Sequence, residues 1–158
     1  EQEASSGADA KNAAPFIALQ GFFSANEETR ERAIEFAKKG VERNPDDPLA
    51  LLVLSALYGQ TGNLKKVIDL LQPHEPKMMR DVRLANNYFE ALFQDRQIDK
   101  VTKLLNALAG SPDRQVKQFA IERSKGVAQF LQQQQQQLMA ASNPATPTGP
   151  RPVGGRKD

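Results

Sequence analysis

Apolar residues recur every three to four positions along the middle of the chain, from about residue 14 to residue 139. One helical face, for example, gathers four apolar residues at positions i, i+3, i+4 and i+7: Val101, Leu104, Leu105 and Leu108. No segment shows the alternation of polar and β-branched apolar residues that is typical of a half-buried strand. The sequence therefore predicts an all-α fold.

The helical pattern repeats with a spacing of 34 residues, and three blocks align without a gap: residues 14–47, 48–81 and 82–115. Apolar residues share columns of this alignment: Ala33 with Val67 and Val101, Ala37 with Leu71 and Leu105, and Ile17 with Leu51 and Ala85. Each block divides into two helices of about a dozen residues joined by a short polar turn. We therefore expect helix pairs that stack on their neighbours.

The predicted helix ends carry residues that cap or interrupt helices. Asp47 precedes Pro48 and Ser111 precedes Pro112, which is typical of an N-cap followed by a proline in the first turn. Pro73 predicts that the second helix of the second block ends early, because a proline inside a helix removes a backbone hydrogen bond.

The two ends of the chain differ in composition from the helical region. Residues 1–13 are small and polar and predict a disordered lead, and residues 140–158 are rich in proline and glycine and predict a disordered tail. Residues 112–139 predict a long capping helix that contains an unbroken glutamine run at residues 132–137. This run is either a solvated extension of the helix or a surface for self-association.

Composition excludes several classes of function. The chain has no cysteine and one histidine, His74, which we expect to be an exposed loop residue between two prolines. These counts leave no metal site built from cysteine or several histidines. No Gly-x-Ser-x-Gly motif or phosphate-binding glycine loop is present, so we predict neither an enzyme nor a cofactor.

The charge and hydropathy of the chain restrict its partners. The 21 basic and 19 acidic residues give a net charge of +2 without a concentrated basic stripe, so we do not expect nucleic-acid binding. No apolar run is long enough for a membrane-spanning helix. The sequence does not identify the compartment, because a chain without cysteine is compatible with the cytoplasm and also with the cell envelope, where it would be a mature exported protein.

Residues 32–47 resemble the second helix and exit turn of a tetratricopeptide (TPR) repeat. The segment that follows resembles the first helix and turn of the next repeat through five residues: Leu51, Leu54, Tyr58, Gly62 and Asn63. The resemblance covers about residues 14–115, and the helix after Pro112 resembles the capping helix with which such arrays end. The third turn departs from the pattern, since it carries Arg96 where the second carries Gly62. The resemblance implies a right-handed α-solenoid of helix-turn-helix repeats with a concave groove.

The resemblance also implies which side chains face that groove. They come mainly from the first helix of each pair: Phe22, Asn26, Leu52, Ala56, Gln60, Asn86, Asn87, Glu90 and Phe93, with Lys117 from the capping helix. Asn86 and Asn87 carry amides that both donate and accept hydrogen bonds, which suits a ligand backbone. The predicted function is a non-catalytic adaptor or scaffold that binds a peptide or helix of a partner protein, alone or as the terminal segment of a larger protein.

Two other functions stay open at this point. The chain is alternatively a structural or assembly component that self-associates through its outer helical faces and the glutamine-rich helix. A helical repeat that binds RNA is the third interpretation, although the aligned residues Phe22, Ala56 and Glu90 provide no base-reading set. The sequence identifies neither the partner nor the oligomeric state.

Overall fold

The computed structural model describes residues 29–142 of the 158-residue chain. The regular elements in this range are all helical, without a strand, so the predicted all-α class is confirmed. The α-helices in chain order are α1 (Arg30–Arg43), α2 (Pro48–Gln60), α3 (Leu64–Leu71), α4 (Glu75–Met78), α5 (Val82–Gln94), α6 (Ile98–Ala109) and α7 (Arg114–Ser142). The predicted groove residues Phe22 and Asn26, the predicted lead and residues 143–158 lie outside the described range.

The chain divides into two compact units, and the boundary between Ser124 and Lys125 falls within α7. The first unit contains helices α1 to α6 and the beginning of α7. The second unit contains the rest of α7, including the glutamine run.

The helix starts of the first unit follow the 34-residue spacing of the sequence. Helices α1, α3 and α6 begin at Arg30, Leu64 and Ile98, and α2 and α5 begin at Pro48 and Val82. Within the second and third blocks, each first helix packs against the second helix of its own block, and α5 also packs against α2 and α3 of the block before it.

The core of this unit follows the alignment columns. The described members of these three apolar columns are all buried: Ala33, Val67, Val101, Ala37, Leu71, Leu105, Leu51 and Ala85. In a fourth aligned column, Ile68 is buried, Ile34 is half-buried and Thr102 is exposed. Helix α2 lies against α1, α3 and α5, which explains why its apolar residues are spread nearly all round the helix. The periodic apolar positions therefore form the contacts between helices.

The two short turns at the ends of α2 and α5 have the same backbone geometry. The backbone N–H of Asn63 and that of Gln97 each donate, at 2.9 Å, to the carbonyl five residues earlier. Gly62 has a φ of 70° and Arg96 a φ of 60°, so both lie in the left-handed region. A residue other than glycine in this region is destabilised by about 1–2 kcal/mol. Arg96 therefore makes the third turn less stable than a glycine would.

Aspartates 34 residues apart cap α2 and α5. The Oδ1 atom of Asp47 accepts a hydrogen bond from the backbone N–H of Leu49 at 2.9 Å, as predicted for the residue before Pro48. Asp81 accepts in the same way from the N–H of Arg83 at 3.0 Å. The Arg83 guanidinium also hydrogen-bonds this carboxylate and lowers the pKa of Asp81.

The predicted N-cap at Ser111 is wrong. Helix α7 begins at Arg114, and the Oδ1 atom of Asp113 accepts hydrogen bonds from the first backbone N–H groups, that of Gln115 at 2.7 Å. Ser111 is 1% exposed, and its hydroxyl donates to the Met79 carbonyl at 2.7 Å and accepts from the Asp113 N–H at 2.9 Å. Ser111 therefore ties the loop before α7 to the segment after α4.

Helix α3 ends early, as Pro73 predicts, and a 3₁₀ turn follows at Gln72–His74. The expectation of an exposed histidine in this turn is wrong. The side chain of His74 is 17% exposed, and its Nδ1 lies 3.9 Å from Oδ1 of Asp46. The same carboxylate forms an ion pair with Nζ of Lys77 at 2.9 Å, and this contact lowers the pKa of Asp46. The turn is thereby connected to the residues that follow α1.

Candidate partner-binding groove

A depression of about 250 Å³ lies between α2 and α5, the first helices of the second and third blocks. Its lining, which defines the α2/α5 groove, consists of Ser55, Ala56, Gly59, Gln60, Leu64, Val67, Asn87, Glu90, Ala91 and Gln94. Ala56, Gly59 and Ala91 have small side chains, which leave space between the two helices. The structure therefore brings Ala56, Gln60, Asn87 and Glu90 of the predicted groove to one surface.

A short chain of hydrogen bonds joins α2 to α5 within this groove. The Asn87 amide donates to the Ser55 hydroxyl at 2.9 Å, and that hydroxyl donates to the Leu52 carbonyl at 3.0 Å. Ser55 is 1% exposed, so the loss of Asn87 would leave its buried hydroxyl bonded to the Leu52 carbonyl alone. Asn87, predicted as a ligand-binding amide, thus also fixes the spacing of the groove walls.

Arg123 of α7 contacts two other predicted groove residues. Its Nη2 atom donates to Oδ1 of Asn86 at 3.0 Å and lies 3.2 Å from Oε1 of Glu90. Its guanidinium carbon stands 5.2 Å from the ring centre of Phe89 and 5.5 Å from that of Phe119. The arginine side chain is 44% exposed, so we assign the ion pair less than about 1 kcal/mol and each ring contact a similar value.

Aromatic rings support this arginine. Phe89 stacks on Phe93 of the same helix with ring centres 5.7 Å apart, and it meets Phe119 edge-on at 5.9 Å. Phe89 is 4% exposed. The aromatic group thus holds the beginning of α7 against α5, and it places Arg123 beside the polar residues of α5.

The remaining predicted residues do not share the groove. Leu52 and Phe93 are half-buried and Lys117 is exposed, and the lining of the depression includes none of the three among the described residues. Leu52 contributes its carbonyl to the Ser55 hydroxyl, and Phe93 packs on Phe89. Leu52 and Phe93 therefore act on the groove through the residues that they support, and Lys117 is not part of it. Asn86 also lies outside the lining and is connected to Glu90 through Arg123.

Sequence reasoning missed Ser55 and Arg123. Ser55 falls between apolar residues of α2, and a polar residue in that position signals that a partner is needed on a neighbouring block. Arg123 lies beyond residue 115, where the block alignment ends, so no periodic pattern points to it.

A second depression of about 300 Å³ lies between α6 and the segment around α4. Tyr88 of α5 reaches its wall, where its hydroxyl donates to Oε1 of Glu75 at 3.1 Å. Burial and the nearby Glu75 carboxylate raise the pKa of Tyr88, so the phenol keeps donating this bond at alkaline pH values at which a free tyrosine would ionise. The arrangement stabilises the contact between α4 and α5.

Between residues 29 and 142, no group of three or more histidine, aspartate or glutamate side chains is arranged to hold a metal ion. The helices in this range are also too short or too polar to span a membrane. Comparison of the chain with protein-family models, curated proteins and solved structures gives no match.

Proposed function

We propose that the chain is a non-catalytic adaptor that binds a peptide or helix of a partner protein in the α2/α5 groove. The proposal includes the TPR-like arrangement, in which the helix pairs form a right-handed solenoid and the first helices of the pairs line its concave side. The 34-residue spacing of the helix starts supports this arrangement.

The observation that carries the proposal is the chemistry of the groove lining. Gln60, Asn87 and Gln94 provide amides that donate and accept hydrogen bonds, as the N–H and C=O groups of a bound main chain require. Ala56 and the partly buried Leu64 provide apolar surface beside them. Such a combination suits an apolar anchor side chain flanked by polar main-chain contacts.

Charge in the groove favours a protein ligand over a nucleic acid. Glu90 is the one charged side chain among the described residues of the lining, and Arg123 already forms an ion pair with it. Phosphate recognition needs several unpaired cations, and it gives binding that weakens steeply with salt. We therefore expect peptide affinity to change little between low and moderate ionic strength.

The test is a selection of peptides followed by substitutions inside and outside the groove. A displayed library of random 16-residue peptides is panned on the full chain, and enriched peptides are measured by fluorescence anisotropy. Ala56→Lys places a charged, long side chain in the groove, while Ala109→Lys makes the same change at an exposed position near the end of α6. Circular dichroism verifies that both variants retain the helical content of the parent chain.

The proposal expects that enriched peptides bind the Ala109→Lys variant as they bind the parent chain. The Ala56→Lys variant should bind them at least about tenfold more weakly, because burying an unpaired charge costs more than 1.4 kcal/mol. The absence of enriched peptides, or equal affinity for the two variants, would contradict a binding site in the α2/α5 groove.

A further inference from the structure

The apolar face of α7 continues into the glutamine run. At 3.6 residues per turn, Val127, Leu131, Gln134 and Leu138 lie within about 60° of one another around the helix. Val127 is 7% exposed, but Leu131 is 40% exposed and Leu138 is 69% exposed. The same face thus changes from buried to open along the second unit of the chain, while the helix itself continues to Ser142.

This open face has an unusual chemical character. Residues 126–142 contain no charged side chain and no histidine. The polar groups that they carry are mostly glutamine amides, which donate and accept hydrogen bonds at the same time. Most helical stability in proteins comes from packing an apolar face against another element, and this part of the face is open.

We propose that a second copy of this chain packs along this face and forms a two-fold helix pair. Leu131 and Leu138 form its apolar contacts, and Gln134 lies between them on the same side of the helix. A two-fold contact presents the same surface twice, so it needs a surface that is compatible with itself.

Self-complementarity is the reason for choosing a second copy over another protein. Two copies of an uncharged face meet without repulsion between like charges, and each glutamine amide finds an identical amide that satisfies both its donor and its acceptor. A different partner helix is normally selected by complementary charges beside the apolar seam. Residues 126–142 offer no charge for such a selection. This proposal uses none of the groove residues, so it stands independently of the proposed adaptor function.

Analytical ultracentrifugation of the full chain and two double variants tests the proposal. Leu131→Glu with Leu138→Glu adds two charges to the face. The matched control, Gln132→Glu with Gln136→Glu, adds the same two charges on the opposite side of the same run. Leu131 and Leu138 are exposed, so we expect all three proteins to fold and to give similar circular dichroism.

The parent chain and the control are expected to sediment at twice the chain mass of 17.4 kDa, and the leucine variant at the single mass. A parent chain that stays monomeric up to roughly 1 mM, where even weak association is detected, would overturn the proposal. Equal behaviour of the two double variants would overturn it as well, because the contact would then not depend on this face.

Cross-linking gives a second, independent measurement. The chain contains no cysteine, so Gln134→Cys and Gln136→Cys each introduce a unique thiol, one on the proposed contact face and one opposite it. A short bis-maleimide should link Gln134→Cys into dimers and leave Gln136→Cys mainly monomeric. Equal yields from the two positions would count against the helix pair.

Discussion

Alanine substitutions at two glycines that lie three residues apart should change the stability of the protein in opposite directions. Gly59 belongs to α2, and Gly62 occupies the following turn with a φ of 70°. A Cβ atom added at either position meets no atom within 4 Å, so neither alanine introduces a clash. The backbone conformation alone therefore determines the sign of each effect.

The magnitudes follow from the two conformations. In the last turns of a helix, Gly59→Ala should stabilise the protein by about 0.5–1 kcal/mol. Gly62→Ala forces alanine into the left-handed region at a cost of about 1–2 kcal/mol. The reduced freedom of the unfolded chain offsets about 0.4–1 kcal/mol of that cost. The net destabilisation is about 1 kcal/mol, so the two variants should differ by roughly 1.5–2 kcal/mol.

Urea unfolding followed by circular dichroism at 222 nm measures both variants against the parent chain. The midpoint should rise for Gly59→Ala and fall for Gly62→Ala, with the slope of the transition unchanged. If Gly62→Ala raised the urea midpoint as Gly59→Ala does, the left-handed backbone conformation of Gly62 between α2 and α3 would be refuted. The geometry shared with the turn at Arg96 would then lose its support.

Three further changes test contacts between blocks and the caps of the helices. Ser111→Ala removes a buried hydroxyl and should lower the free energy of urea unfolding by about 1–3 kcal/mol. The control Ser124→Ala, at an exposed position, should change this free energy little. Equal effects of the two variants would refute the Ser111 contact. The folded-state pKa of Asp81 lies below its unfolded value, so its stabilisation is complete above roughly pH 5 and disappears as the pH falls through the folded pKa. Asp81→Asn should therefore flatten the pH dependence of the unfolding free energy in acid, and an unchanged profile would argue against the contacts of this carboxylate with the Arg83 guanidinium and with the first N–H groups of α5. Arg123→Ala should cost about 1 kcal/mol in thermal unfolding, and 1 M salt should reduce the part due to Glu90. A salt-independent loss would assign the effect to the ring contacts and to the hydrogen bond with Asn86.

The helices and their 34-residue period could be predicted from local sequence patterns. Residues such as Asp47 and Pro48 act within one helical turn, and the apolar columns that contain Val67 and Val101 repeat at the spacing at which the helix starts recur. Local capping and helical periodicity depend on residues close together in the chain, so they are visible without the tertiary structure. The same local reasoning failed at His74, because the contact with Asp46 joins two different segments.

Which polar groups meet between neighbouring blocks follows only from the arrangement of the helices in space. Asn87 bonds Ser55 across 32 positions, Ser111 reaches back 32 positions to Met79, and Arg123 bonds a residue of α5 that lies 37 positions earlier. Contacts of this kind depend on how neighbouring helices are spaced and rotated. That arrangement results from the packing of many apolar side chains at once. The sequence pattern shows which positions are apolar, but it does not show which polar residues their packing brings into contact.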